Sequence, residues 1–192
     1  MEFKSLVKER RSCRVYETSP VTEEQLTAIL EAGQWAPNPL NLQPWEFIVI
    51  KDQELKTKIR KASENARQLV MDNGGPKWAA KYSAGFLEEA SVLVVVVYNP
   101  SKGGLGNFFG QTEGAIQAAS ACVQNMLLAA ADEGLGTLWF TWFEPEKLQS
   151  ILNIPENLKI AGVIPIGEPK GAMEAPPRKP PKIHQERYQV NE

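Results

Sequence analysis

The stretch SVLVVVVY, Ser91–Tyr98, decides the fold class of this 192-residue chain. Its residues are β-branched almost throughout and lack the polar alternation of a half-exposed strand, which predicts a strand buried on both faces. The apolar run is also far shorter than the thickness of a bilayer. We therefore expect the central strand of a sheet that is covered by helices, and no membrane partner.

The regions on both sides of this strand predict further strands and helices. Strands are indicated by WEFIVI, GTLWFTW and LKIAGVIPIG. Helices are indicated around Phe3–Val7, by TEEQLTAILEAG, by DQELKTKIRKASENA, over Lys77–Glu89, by the alanine-rich segment GQTEGAIQAASACVQNMLLAAADEG, and by EPEKLQSIL. This order predicts an α+β fold, an α/β sandwich, in one domain over residues 1–167.

Residues 168–192 differ in composition from the rest of the chain. Five of the fourteen prolines fall in this segment, and it has no periodic apolar face. Such a composition predicts an extended tail rather than a second domain. We expect the tail to pack on its own domain or on a partner subunit.

The composition excludes several classes of function. A net charge of −2 argues against a nucleic-acid partner. The only histidine, His184, lies in the tail, which leaves little basis for a Ser-His-Asp hydrolase. Cys13 and Cys122 have no metal-ligand spacing, so we expect no metal site. The N-terminus does not look like a signal peptide, and we expect a cytoplasmic protein.

The most basic segment is ERRSCRVY, residues 9–16. In a helix, Arg10 and Arg14 would share a face without Ser12; in an extended chain all three would face the same side. Extended, Arg10 and Arg14 stand roughly 13 Å apart, which is wide for one phosphate but suits a mononucleotide with a phosphate and a polar ring. The alternative is a solvated basic turn that pairs with residues such as Glu9 and Glu17.

A second informative segment is the loop APNPLNLQPWEF, residues 36–47. Its three prolines make the loop stiff. Asn38, Asn41 and Gln43 then offer amide groups that could read the pyrimidine edge of a flavin. The alternative is that the asparagines only stabilise turns.

These two segments, about 22 residues apart, are followed by GLGTLW and PPRKP. The set resembles the nitroreductase family of flavin mononucleotide (FMN) enzymes nearly end to end. The resemblance implies a mixed, mainly antiparallel sheet flanked by helices. It also implies an intertwined homodimer with one FMN at each end of the subunit interface.

The resemblance also implies roles for individual residues. Arg10 and Ser12 would hold the FMN phosphate with Arg178, and Arg11 belongs to the same cofactor-binding cluster. Arg14 would lie toward the pyrimidine edge of the flavin. The partner's loop would cover the flavin through Pro37, Asn38, Pro39, Leu40 and Asn41, with Gln43 close by. The backbone of Leu138, Trp139, Phe140 and Thr141 would approach flavin N5, and the expected catalytic residues are Arg14, Trp139 and Phe140.

The function implied is transfer of electrons from NAD(P)H to nitroaromatic or quinone-like acceptors by a ping-pong mechanism. Dehalogenation, ene reduction and a non-catalytic FMN carrier or sensor are alternatives. A colourless polyanion-binding module is a third class. Phe108 and Phe109 could form a lid over the site or could anchor the helix that follows them.

Overall fold

The computed structural model describes residues 2–174 and 177–189 of the chain. It has the predicted mixture of helices and strands. The helices are α1 (Phe3–Glu9), α2 (Glu23–Gln34), α3 (Gln53–Asp72), α4 (Phe86–Glu89), α5 (Gly114–Asp132) and α6 (Pro145–Leu152). The strands are β1 (Trp45–Ile50), β2 (Val92–Tyr98), β3 (Gly136–Thr137) and β4 (Lys159–Gly167).

The four strands form one antiparallel sheet in the order β1-β2-β4-β3. Every residue of Val92–Val97 is at most 2% exposed. Because successive side chains of a strand point to opposite faces, this burial requires a core on each side of the sheet. The prediction of a central, doubly buried strand is confirmed, and with it the α+β fold.

The two cores contain different helices. On one side Val94 packs in a cluster with Ile29 of α2 and Met126 of α5. On the other side Val95 packs in a cluster with Ile59 of α3 and residues of α4 and α6. The sheet thus separates an α2/α5 layer from an α3/α4/α6 layer.

Helix α5 is mostly apolar because it packs against both α2 and the sheet. A β-carbon added at Gly33 of α2 would lie 2.9 Å from Met126 Cγ, so the two helices approach closely at this point. By length and composition alone α5 could cross a membrane. Eight of its residues are buried in the protein, and we interpret it as a core helix.

Helix α3 begins directly after Asp52, the first residue of the segment DQELKTKIRKASENA. The Asp52 carboxylate accepts a hydrogen bond from the backbone N–H of Leu55, 2.8 Å away. We expect Asp52→Ala to lower the free energy of unfolding by about 1 kcal/mol, because the N–H loses its acceptor. Asp52→Ser keeps an acceptor and should remain within a few tenths of a kcal/mol of the original chain. Urea denaturation measures both, and equal values for the alanine and serine variants would contradict the cap.

Two predicted elements differ in the structure. The single helix over 77–89 is wrong: a 3₁₀ turn covers Lys77–Lys81, Tyr82 is extended, and α4 starts only at Phe86. The predicted strand GTLWFTW pairs continuously only over Gly136–Thr137, and Phe140 returns to the sheet through one bridge to Val163. Local patterns did not indicate these interruptions.

The described residues of the tail form no helix or strand, and Pro169 bridges Tyr16. Most of their side chains are exposed. Ala175, Pro176 and residues 190–192, which the predicted tail includes, lie outside the described residues, as does Met1. The division at residue 168 remains a prediction.

Candidate functional site

The basic segment after α1 is extended. Helix α1 ends at Glu9, Ser12 forms a parallel bridge with Thr137, and the Cys13 N–H donates to the Thr137 carbonyl over 2.8 Å. Ser12 and Arg14 are exposed, whereas Cys13 is 1% exposed. Burial raises the pKa of the Cys13 thiol, which fits a packing residue rather than a nucleophile.

The second glycine of the GLGTLW motif, Gly136, explains how the basic segment can lie so close to the sheet. A β-carbon on Gly136 would lie 2.8 Å from both Cβ and Sγ of Cys13. The sequence indicated this motif only through the family resemblance. Its local role is to let the basic segment lie directly against the edge strand β3.

Three arginines converge on one open cleft. Arg10, Arg11 and Arg178 line a cavity of about 580 Å³ together with Lys8 and Gln124. The pKa of Arg10 is lowered, first by burial and then by the charges of Arg11 and Arg178. Among residues 2–174 and 177–189, no carboxylate forms an ion pair with any of the three. Uncompensated like charges in a cleft provide a site for an anion.

Arg11 has a structural contact within this cluster. Its Nη1 donates to the carbonyls of Lys8 and Arg10, so the guanidinium caps the end of α1. Its Nε is buried and has no partner among the described residues. Arg11 therefore fixes the Arg10 backbone and adds positive charge to the cleft, a role that the sequence did not indicate.

Arg14 lies beyond the cleft, along the same extended segment. At the Ser12–Thr137 bridge, the basic segment runs parallel to the segment that contains Trp139. Arg14 and Trp139 each lie two residues past this bridge. Both residues therefore continue in the same direction away from the bridge. Arg14 is exposed, with its Nη1 3.4 Å from the Ser12 carbonyl.

The backbone of Leu138–Thr141 is fixed at Phe140. The N–H and the carbonyl of Phe140 each bond to Val163 over 2.9 Å. Its side chain is 3% exposed and packs edge-on against Phe86, with the ring centroids 5.6 Å apart. Leu138 is buried in the same cluster. The Phe140 side chain thus belongs to the core, and its expected catalytic role, which stays a prediction, would fall to its backbone.

Trp139 and Thr141 alternate with these buried residues. The Trp139 indole is half-buried, and its Nε1 donates to the Ala161 carbonyl over 3.0 Å. It lies over Gly162, where a β-carbon would stand 2.5 Å from Nε1. Thr141 is exposed. Of the four residues, only these two direct side chains away from the Phe140 core.

The loop Pro37–Gln43 is held in an uncommon backbone conformation. Leu40, Asn41 and Gln43 have φ values of 51°, 53° and 43°, in the left-handed region that is costly for residues other than glycine. Asn38 Nδ2 donates to the Ala36 carbonyl, and its Oδ1 accepts from the Gln43 N–H over 2.8 Å. Asn38 thus stabilises the turn, as the simpler alternative expected. Strain of this kind is concentrated at functional sites.

Within one chain the loop and the arginine cleft contact different parts of α5. Pro39 lines a cavity with Gly114 and Gln117, whereas Arg10 and Arg178 line a cavity with Gln124. Seven residues of helix span about 10 Å. One chain therefore places the predicted phosphate residues and the predicted flavin-covering loop apart.

The loop belongs to a large exposed apolar region. Gly104 packs against Pro39, where a β-carbon would lie 2.5 Å from Pro39 Cβ, and this contact joins the loop to residues 104–109. The exposed side chains of this region are Trp35, Leu40, Leu105, Phe108 and Phe109, each at least 61% exposed. Phe108 and Phe109 thus do not anchor α5 within one chain. Exposed aromatic and aliphatic side chains on adjoining segments favour an interaction surface.

The described residues contain no group of three or more metal-ligating side chains. Cys122 is buried inside α5, and burial raises the pKa of its thiol to about 12. Neither cysteine therefore has the properties of a nucleophile or a ligand.

Known proteins resemble the whole chain. A protein of Archaeoglobus fulgidus with the provisional name NADH dehydrogenase/NAD(P)H nitroreductase is 31% identical, over 97% of this chain and 99% of its own length. An iodotyrosine deiodinase of Thermotoga neapolitana is 26% identical, over 90% of this chain and 91% of its own. A crystal structure of oxidized iodotyrosine deiodinase bound to FMN and 3-iodo-L-tyrosine superposes with a TM-score of 0.85, at 23% identity, over 96% of this chain and 99% of that one.

The sequence model that describes the nitroreductase family matches residues 7–168 of this chain. This range runs from α1 through the basic segment, the strained loop and the whole sheet to the residue after β4. On this match, the chain belongs to the nitroreductase family.

Proposed function

We propose that this protein is an FMN-dependent oxidoreductase of the cytoplasm that passes electrons from NAD(P)H to nitroaromatic or quinone-like acceptors. The observation that carries the proposal is the arginine cleft, in which Arg10, Arg11 and Arg178 converge without a carboxylate partner among the described residues. FMN, when bound, supplies the chemistry of taking two electrons from a nicotinamide and passing them to a second substrate.

The residues present fit the phosphate of this cofactor. Arg10 offers a guanidinium that can grip a phosphate through two N–H donors, and Arg178 faces the same cleft. The exposed Ser12 hydroxyl is two residues away along an extended chain. Arg11 holds the Arg10 backbone in place. Binding a dianion would also relieve the mutual repulsion of the three guanidinium groups.

At the other end of the proposed site, the residues contact the flavin ring instead of the phosphate. Arg14 places a positive charge beside the ring, at the pyrimidine edge where negative charge collects on reduction. The fixed backbone around Phe140 offers its neighbours Trp139 and Thr141 to the reactive edge of the ring. No described residue needs to act as a general base, which agrees with a chain that has one histidine.

A second copy of the chain completes the proposed site. The exposed apolar region around Leu40 and Phe108 favours an interface, and the strained loop 37–43 belongs to that region. In a homodimer this loop would cover the cofactor held by the arginines of the other subunit. One open face would then serve NAD(P)H and the acceptor in turn, which gives ping-pong kinetics.

The proposal is tested by turnover of the purified protein. Oxidation of NADH or NADPH should be stimulated several-fold by nitrofurazone or menadione, with parallel lines in double-reciprocal plots. A flavin-containing protein that oxidises neither nicotinamide with any acceptor would instead be a carrier or sensor.

Reductive dehalogenation is the second candidate, because iodotyrosine deiodinases are among the relatives. The discriminating substrate is 3-iodo-L-tyrosine under reducing conditions. Release of iodide at a rate comparable to nitroreduction would favour this candidate over the first.

We expect Arg14→Ala to lower the midpoint potential of bound FMN by an amount on the order of tens of millivolts. The reason is that one positive charge near the ring favours the reduced, more negative state. Potentiometry with a reference dye measures the change, and Arg14→Lys, which keeps the charge, should restore most of it. An unchanged potential in Arg14→Ala would remove Arg14 from this role.

A further inference from the structure

Three aromatic side chains meet next to the segment that the proposed function places at the flavin. Trp78 packs edge-on against Trp142, with ring centroids 5.6 Å apart and an interplanar angle of 66°. Tyr82 packs against the same Trp142 ring at 5.0 Å. We call Trp78, Tyr82 and Trp142 the aromatic corner. Because Trp78 meets Trp142 edge-on and is exposed, its indole has surface left for a third, flat ring.

The corner is held in place from two sides. Trp142 directly follows Thr141, and the buried Ser63 hydroxyl of α3 donates to the Trp142 carbonyl over 3.2 Å. The turn that carries Trp78 is fixed to α3 by Arg67 Nη1, which donates to the Ala80 carbonyl over 2.8 Å. Trp142 and the turn that carries Trp78 are therefore both hydrogen-bonded to α3. Trp142 also lies two residues after Phe140 along the chain.

Trp78 itself is 63% exposed, although it is the largest apolar side chain of its segment. An indole this exposed leaves most of its apolar surface in water, even with its contact to Trp142. An aromatic ligand would supply the missing contact, because stacked and edge-on ring pairs are favourable beyond the area that they bury. The position next to Thr141 would bring such a ring to the proposed cofactor edge.

Along the chain, the charged residues next to Trp78 are both positive. Lys77 and Lys81 are the only charged residues between Asn73 and Leu87. Lys77–Lys81 is a 3₁₀ turn, with three residues per turn, so Trp78 and Lys81 lie on the same side of it. An exposed ammonium on the side that carries the indole favours an anionic group on the ring.

We propose that the aromatic corner and Lys81 bind aromatic acids: flat electron acceptors that carry a carboxylate. This proposal rests on the proposed function for the redox chemistry, but the binding that it describes does not require turnover. Trp78 provides the stacking surface, and Lys81 selects the anion.

The test compares 4-nitrobenzoate with the neutral 4-nitrobenzamide as acceptors for the flavin-loaded protein. The original chain should show a lower KM for the acid. Lys81→Gln should raise the KM for the acid about threefold and leave that for the amide unchanged. Trp78→Ala should raise both about fivefold, and Trp78→Phe should restore most of the loss. Lys58→Gln, at an exposed lysine of α3, is the matched control and should change neither.

Two further readouts separate this inference from the proposed function. Ferricyanide needs no stacking surface, so its reduction should be the same in all variants. Calorimetric binding of benzoate, which is redox-inert, should weaken in Trp78→Ala and in Lys81→Gln whether or not the protein turns over. Unchanged benzoate affinity and unchanged KM ratios in both variants would overturn the aromatic-acid site, even if nitroreduction itself is observed.

Discussion

Arg10→Ala is expected to weaken FMN binding by about 10- to 100-fold, which corresponds to the 1.5–3 kcal/mol typical of a hydrogen bond to a charged group. Arg10 lies at the end of α1, in the cleft that it shares with Arg11 and Arg178. Its pKa is lowered by burial and by those neighbours, which means that its charged form is disfavoured unless an anion compensates it. A phosphate in the cleft is the compensating partner, and alanine removes a direct contact with it.

Fluorescence titration of the flavin-free protein with FMN measures this effect. Arg10→Lys should give an intermediate affinity, because an ammonium keeps the charge but not the two-pronged geometry. Arg178→Ala should resemble Arg10→Ala. Lys58→Gln removes a positive charge elsewhere and should bind FMN normally. If the three arginine variants bound FMN with the original affinity, the arginine cleft would not be the phosphate site.

Gly162→Ala is expected to lower the free energy of unfolding by about 2–4 kcal/mol. A β-carbon at this buried position would stand 2.5 Å from Trp139 Nε1 and 2.6 Å from Trp139 Cδ1. The indole must move, which costs overpacking of about 1–3 kcal/mol and the hydrogen bond to the Ala161 carbonyl, about 0.5–1.5 kcal/mol.

Urea denaturation measures the loss of stability, and near-ultraviolet circular dichroism reports the displaced indole. Gly85→Ala is the matched control, since a β-carbon there meets no atom closer than 3.4 Å. In the background Trp139→Leu the cost of Gly162→Ala should fall by at least half, because the obstructing ring is gone. Equal costs in both backgrounds would show that the indole is not what requires glycine at residue 162.

The sequence predicted the parts of the fold that local patterns encode. The unbroken β-branched run identified β2 because a strand covered on both faces leaves no polar alternation. Asp52 identified the start of α3 because a side-chain oxygen there meets an unpaired N–H. The segment 77–89 was predicted as one helix, and the structure divides it at Tyr82, whose ring packs against Trp142.

The sequence was enough to select the candidate site residues, but not to predict which residues they contact. Alternation would place Arg10, Ser12 and Arg14 on one side of an extended chain, but the sequence also left a helical conformation open. The arginine tail motif was found by resemblance alone, and only the fold brings Arg178 to the Arg10 cleft. No local signal showed that Arg11 caps α1, or that Phe140 faces the α3/α4/α6 core, since both depend on where the chain turns in three dimensions.

The absorption spectrum of the purified protein, with mass identification of any released flavin, shows whether this chain binds FMN. We expect a yellow protein with bands at about 370 and 450 nm that releases FMN on denaturation. A colourless protein that takes up no FMN when supplied with it would mean that the arginine cleft is not a flavin phosphate site.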